Sequence, residues 1–215
     1  MHPSARRGKL FWEPRLGDIA ASGDLGYLTG PTESRAPSRP TRHGNYFSVW
    51  KKQADGSFKV ILDVGIRVPK QTAFADGFVR ASATSTYKGA DTKTAAEAAL
   101  LAADRAFGRA LIANGAAAAY SATLLDGARV HRTGFQPMTT RDTAVAWMHD
   151  RVTTMTSEPL KSESAQSRDL GYTWGRFTMA SSSGTAQKGF YVRVWARGTD
   201  GKWMIAADVE QLSGE

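Results

Sequence analysis

Residues 10–65 and 155–210 carry one pattern twice, aligned at a constant offset of 145 without a gap. Asp24-Leu25-Gly26-Tyr27 returns as Asp169-Leu170-Gly171-Tyr172, Gly30 as Gly175 and Trp50 as Trp195. Asp55-Gly56 returns as Asp200-Gly201, Asp63-Val64 as Asp208-Val209, and Glu13-Pro14 as Glu158-Pro159. A gapless internal repeat means two copies of one folding unit. The copies are unequal. About sixty residues of helical character, Ala90 to Asp150, precede the second copy, and their counterpart before the first would lie ahead of Met1. One complete unit and one half unit are therefore expected, with the exposed apolar face of the half unit covered by the second unit, a symmetry mate or helices further upstream.

Each copy reads as a set of strands. Ile19 to Gly30 is strand, turn, strand around Gly23-Asp24, and Tyr46–Lys52 and Phe58–Gly65 flank an Asp-Gly hairpin turn. Pro31 to Arg42, with three prolines, reads as an exposed loop. The second set is expected at 159–168, 170–180, 187–197 and 202–210. Between the copies, Leu100, Phe107 and Leu111 sit at helical spacing, with Thr94 and Glu97 as a capping box and Asn114-Gly115 as the stop. Ala116 to Leu124 reads as a second helix and Ala128 to Thr133 as a strand. A third helix follows a Thr139–Asp142 box, with Val145, Met148 and Val152 on one face. Helices gathered on one face of a mostly antiparallel sheet make an α+β fold. The division expected is a disordered leader at 1–9, a partial repeat at 10–66, a linker at 67–89 with one short strand, and a complete unit at 90–215.

Composition excludes several chemistries. The chain has no cysteine, so disulfides and thiolate catalysis are out. No apolar run reaches the roughly 20 residues of a membrane span, and no apolar stretch follows the basic start, so a cytoplasmic protein is the default, or an exported one if the natural gene begins upstream. The formal charge is +8, with 11 Lys/Arg against 6 Asp/Glu in residues 1–68. No nucleic-acid motif or long basic run accompanies it, so it reads as a solvated basic face. The four histidines are scattered, and neither a phosphate loop nor a Gly-x-Ser-x-Gly elbow occurs, so neither metal nor cofactor is expected.

The element order resembles the nuclear transport factor 2-like superfamily, which includes SnoaL-like proteins and ketosteroid isomerases. The phrases at 22–27, 49–56 and 59–64, with Ala103-Asp104-Arg105-Ala106-Phe107 and Gly201-Lys202-Trp203, are similar to its bacterial SnoaL-like branch of unknown function. The resemblance implies a cone of helices on a curved sheet, often enclosing a pocket, and a homodimer formed through sheet faces. Function does not follow from fold, because that superfamily hosts both enzymes and binding modules.

Candidate site residues follow from this frame. Ketosteroid isomerases use a carboxylate base on the strand after the second helix. The matching strand here, Ala128 to Thr133, has none, Asp126 lies before it, and His131 is the one base-capable residue near by. Asp63 and Asp208 interrupt apolar strands, where a carboxylate needs a partner or a pocket. Strand alternation groups Tyr172, Trp174 and Arg176, and separately Tyr191, Arg193 and Trp195. If the two sets meet, they line an aromatic pocket with two guanidinium groups, suited to an acidic or aromatic ligand; a contact with a partner subunit is an equal alternative, and a small apolar or aromatic molecule is the expected ligand. Three functions remain open: a small-molecule-binding module, an enzyme using Asp208, Tyr172 and His131 for acid–base chemistry on a small carbonyl compound, and a structural association domain.

Overall fold

The computed structural model describes residues 8–70, 77–81 and 87–213. Two sheets dominate it. The first holds β1 (Lys9–Trp12), β2 (Leu16–Ile19), β3 (Leu25–Ala36), β4 (Arg39–Lys52), β5 (Phe58–Val68) and β6 (Val79–Arg80). Its order is β5-β4-β3-β2-β6, with β1 also paired to β3. Three helices follow, α1 (Lys93–Asn114), α2 (Ala116–Thr123) and α3 (Arg141–Arg151), with β7 (Leu124–His131) between the last two. The second sheet adds β8 (Val152–Ser164), β9 (Leu170–Ser181), β10 (Ala186–Arg197) and β11 (Trp203–Leu212) in the order β7-β11-β10-β9-β8. Strands β3, β4 and β5 correspond to β9, β10 and β11, and β1 with β2 corresponds to β8. The break after Trp12 falls at Glu13-Pro14, and β8 shifts register at the matching Pro159. A proline has no amide to give a ladder, so both copies yield there.

Several local expectations need correction. Pro31 to Arg42 is not a loop: β3 and β4 run to Ala36 and from Arg39, with Pro37 in the tight turn between them. The long hairpin is held by β1 on one side and β5 on the other. Lys9, assigned to a disordered leader, is in β1, while residues 1–7 of that leader lie outside the described residues. The expected linker contributes β6, which pairs in parallel with β2, and its residues 71–76 and 82–86 also lie outside the described set. Thr92, not Thr94, caps α1 by accepting from the Ala95 amide, and Thr140 with Thr143, not Thr139 with Asp142, forms the box of α3. The strand after α2 begins at Leu124, and β8 begins at Val152, earlier than their turn residues indicate.

The sheets pack face to face, and the repeat explains how. Leu25, Tyr27, Phe47 and Val49 of the first sheet meet Leu170, Tyr172, Val192 and Val194 of the second, and these pairs are all related by the offset of 145. The hydrogen bonds obey the same relation. The Ala21 amide donates to Asp169 Oδ2 at 3.0 Å, and the Gln166 amide donates to Asp24 Oδ2 at 3.1 Å. The Ser22 amide donates to Ser167 Oγ at 3.1 Å, and the Ser167 amide to Ser22 Oγ at 3.0 Å. Such reciprocity defines an isologous interface, here between two halves of one chain. It also explains the repeated Asp of Asp-Leu-Gly-Tyr, since each aspartate satisfies an amide of the other copy's hairpin. The paired Gly30 and Gly175 have a different cause. A Cβ there would lie 1.9 Å from Glu13 O or 2.0 Å from Glu158 O, so only glycine lets the strands meet.

Because one apolar layer serves both sheets, they are expected to unfold together. Leu25→Ala and Leu170→Ala should each cost about 2–5 kcal/mol and lower a single thermal transition. Two separate transitions, with each mutation moving one, would show that the sheets are independent.

Candidate functional site

The other face of the second sheet curves around the helices. Helix α1 turns Leu100, Phe107 and Leu111 inward, and Gly108 lets it approach β8, where a Cβ would sit 2.7 Å from Ser157 O. Phe107, Tyr120, Met148, Tyr191, Trp195 and Ile205 fill the interior, with Phe107 edge-on to Tyr120 at 5.0 Å. An ionic cluster crosses this apolar volume.

Arg193 on β10 is at its centre, with no side-chain exposure. Its Nη1 donates to Asp104 Oδ1 at 2.7 Å, and its Nε to Asp208 Oδ2 at 2.8 Å. Arg132 Nη1 donates to Asp208 Oδ1 at 2.9 Å, and Arg132 Nη2 to the Tyr120 hydroxyl at 2.7 Å. Tyr120 donates to Asp208 Oδ2 and Tyr191 to Asp104 Oδ2, both at 2.9 Å. The Arg193 guanidinium also lies 3.8 Å from the Tyr191 ring centre and 4.6 Å from that of Phe107. Burial alone would raise the Asp208 carboxyl, but Arg132 and Arg193 outweigh it and hold it below the ordinary range. Removing one member of such a buried network costs about 3–5 kcal/mol, because a charge is left unpaired in an apolar medium.

Glu210, two residues along β11, is the third carboxyl facing two guanidiniums. Arg132 Nε lies 3.0 Å from its Oε2 without hydrogen-bond alignment, and Oε1 has no hydrogen-bond partner among the described residues. Burial pushes Glu210 up to about 7; Arg132 opposes this and the Asp208 charge adds to it.

The residues singled out in the sequence do not form one site. Tyr191, Arg193 and Trp195 point into the cone, where Trp195 Nε1 donates to Thr173 Oγ1 at 2.8 Å. Tyr172 and Trp174 lie on the opposite face, packed between the sheets, and Arg176 is exposed. The two triplets cannot meet, because Arg193 pairs in register with Thr173 and Val194 with Tyr172. Tyr172 donates to Glu163 Oε2 at 3.0 Å, and its hydroxyl is raised by burial and by Glu163. His131 is also between the sheets, 6.0 Å from the Phe47 ring, while the next residue, Arg132, enters the cone. Burial, with Arg132 and Arg129 adding, lowers His131 to about 3, so its imidazole is neutral at neutral pH. Asp208, His131 and Tyr172 therefore belong to different environments. Asp126 is exposed and pairs with Arg141 at 2.8 Å.

Asp104, Tyr120, Arg132 and Glu210 were not legible as site residues, although two left a signal. Asp104 follows Leu100 by four and precedes Phe107 by three, so it lies on the apolar face of α1. Glu210 shares the face of Asp208 by strand alternation.

The first sheet repeats the cone face without its cluster. Ser48, Asp63 and Gly65 stand where Arg193, Asp208 and Glu210 stand in the second. Tyr46 and Trp50 match Tyr191 and Trp195, while Trp12 replaces Ser157. No described helix covers this face: Trp12 is 58% exposed, Phe58 42% and Val60 44%. Elsewhere, a hollow of about 270 Å³ is lined by Tyr27, Leu125, Asp126 and Ala206. Another of about 220 Å³ is lined by His43, Asn45, Arg42, Arg67 and Gln211. Asn45 is buried, and its side-chain amide has no hydrogen-bond partner among the described residues. Among those residues no group of His, Cys, Asp and Glu is placed to hold a metal, and no helix is long and apolar enough to cross a membrane.

Glu210 links this cluster to pH. Folded, it keeps its proton to about pH 7, whereas the unfolded chain releases it near 4.5. The folded state then binds more protons between those values, so this residue makes stability fall as pH rises through them. His131 acts oppositely from about 3 to 6.5, so the mutant difference is the clean observable. Urea midpoints of Glu210→Gln and the parent should coincide near pH 4.5, and the variant should be more stable by about 1–3 kcal/mol at pH 8. A difference that does not change with pH would show that Glu210 titrates normally.

No protein-family model matches the chain, and no curated protein matches it. Solved structures do. A protein described as an aromatic ring hydroxylase homologue from Novosphingobium aromaticivorans is 11% identical over 58% of this chain and 94% of its own, with a TM-score of 0.48. A nuclear transport factor 2-like superfamily protein from Salmonella enterica is 8% identical over 57% of this chain and 94% of its own, with a TM-score of 0.46. A ketosteroid isomerase-like protein from Erwinia carotovora atroseptica is 18% identical over 55% and 93%, with a TM-score of 0.43. With the element order α1-α2-β7-α3-β8-β9-β10-β11 and three helices on a curved sheet, the second unit has an α+β architecture.

Proposed function

We propose that this protein is a non-catalytic binding module. In this reading the second unit is a closed scaffold and the open face of the first sheet is the binding surface. The observation that carries the proposal is the contrast between equivalent faces. In the second unit, α1, the aromatic core and the Arg193 cluster fill the cone, and the Asp208 carboxylate is committed to two guanidiniums and Tyr120. An acid–base catalyst needs a carboxyl or imidazole within reach of a substrate proton. In the first unit Trp12, Phe58 and Val60 stay exposed beside Tyr46 and Trp50. A contiguous aromatic patch with Tyr and Trp is the usual composition of a binding surface.

An apolar fluorescent dye such as ANS tests this. The native chain should bind it with enhanced emission, and Trp12→Ser and Phe58→Ser should each remove most of that signal while the melting temperature stays within a few degrees. Absence of dye binding by the folded chain would overturn the reading.

A second reading, binding of a small molecule, is favoured by one observation. The buried, unpartnered amide of Asn45 lines the 220 Å³ hollow together with Arg42 and Arg67. Unpaired buried amides are costly and find partners in bound polar groups or water. Small carboxylates should then raise the melting temperature of the native chain and fail to do so in Asn45→Leu. An equal response from both proteins would remove this reading.

A further inference from the structure

The two copies share one scaffold, so the second shows what the first sheet is shaped to hold. Helix α1 lies on β8 and β9, with Leu100 against Gly171 and Gly108 against Ser157. The equivalent floor in the first unit is β1, β2 and β3, with Gly26 and Trp12 at those places. The differences between the copies then describe what that face is shaped to hold. Arg193 is a strand residue that meets Asp104 of α1 on one side and Asp208 on the other. In the first sheet Arg193 has become Ser48, while the acceptor remains as Asp63. Ser48 is satisfied locally, accepting from Trp50 Nε1 at 3.0 Å. Asp63 is exposed and forms no ion pair among the described residues. A largely aromatic floor of Trp12, Tyr46, Trp50, Phe58 and Val60 thus shares its face with one carboxylate that has no arginine beside it on the sheet.

From this juxtaposition we propose that the open face of the first sheet docks an amphipathic helix of another polypeptide, whose apolar stripe covers the aromatic floor and whose basic side chain pairs with Asp63. The proposal rests on the binding-module reading and names its partner. The cation that the second unit carries on its sheet is supplied by the helix in the first. The position is the one that Asp104 holds on α1, which lies within one guanidinium of the Asp208 site. A small residue at the place of Gly108 lets the helix approach β1. Groove binding of this kind reads anchors at i, i+3, i+4 and i+7.

The test uses a labelled 22-residue peptide with the sequence of Lys93–Asn114, titrated against the full chain by fluorescence anisotropy. The peptide carrying Asp104→Arg should bind about tenfold more tightly than the parent peptide, the ratio that corresponds to about 1.4 kcal/mol. Asp63→Arg in the protein should reverse that preference, restoring the parent peptide and weakening the Asp104→Arg peptide. Trp12→Ser and Phe58→Ser should weaken both. Equal binding of the two peptides, binding indifferent to Asp63, or no binding would overturn the proposal. Concentration-dependent dimerisation of the chain that Trp12→Ser abolishes would also overturn it, because the occupant would then be a second copy. Dye binding without peptide binding sinks the helix and leaves the open surface standing, whereas failure of both sinks the module reading itself.

Discussion

The packing of one sheet against the other is the constraint on which the rest of this protein depends. Neither sheet can bury both faces by itself, and a sheet with one solvated apolar face is marginal in water. Here Leu25, Tyr27, Phe47 and Val49 meet their own counterparts, Leu170, Tyr172, Val192 and Val194. The reciprocal Asp24 and Asp169 contacts fix the register of the two hairpin ends. A pairing that oligomers make between two subunits is made within one chain, so no translational entropy is lost in forming it.

Once that face is shared, the other faces are free to diverge. The second sheet buries two arginines and three carboxyls beneath three helices, so its interior is specified by polar geometry as well as by volume. Buried networks of this type contribute little net stability, but they penalise any arrangement that leaves a member unpaired. The first sheet exchanges that cluster for Ser48, Trp12 and Gly65, which makes its face more apolar. One repeated pattern therefore supports a buried ionic cluster in one copy and a face with exposed aromatic side chains in the other.

Much of this was legible in the residues, and the failures have physical causes. Asp55-Gly56 and Asp200-Gly201 mark hairpin turns because the glycines take φ of +84° and +80°. Leu100, Phe107 and Leu111 mark α1 because their spacing is that of a helix face. Pro31 to Arg42 misled because proline and polar residues also suit long hairpins that are only half buried. The grouping of Tyr172 with Arg193 failed because alternation gives the two faces of each strand but not which face of a neighbour aligns with it. That depends on register, and one residue of register exchanges the faces. Arg132 gave no signal, since its importance comes from β7 lying parallel to β11, a contact between segments far apart in sequence.

By itself, the sequence determined that there are two copies of one unit, that the copies are strands joined by tight turns, and that a helical stretch lies between them. These are local facts, written in spacing, glycine and proline, and they hold whatever the chain packs against. Tertiary structure alone decided that the copies face each other across a pseudo-two-fold relation. It also decided that His131 and Tyr172 lie in that layer while Asp208 lies in the cone, and that burial pushes Glu210 up to about 7. Each of these depends on which groups are brought within a few ångströms from distant parts of the chain, where burial and charge act over distance in space and not along the sequence.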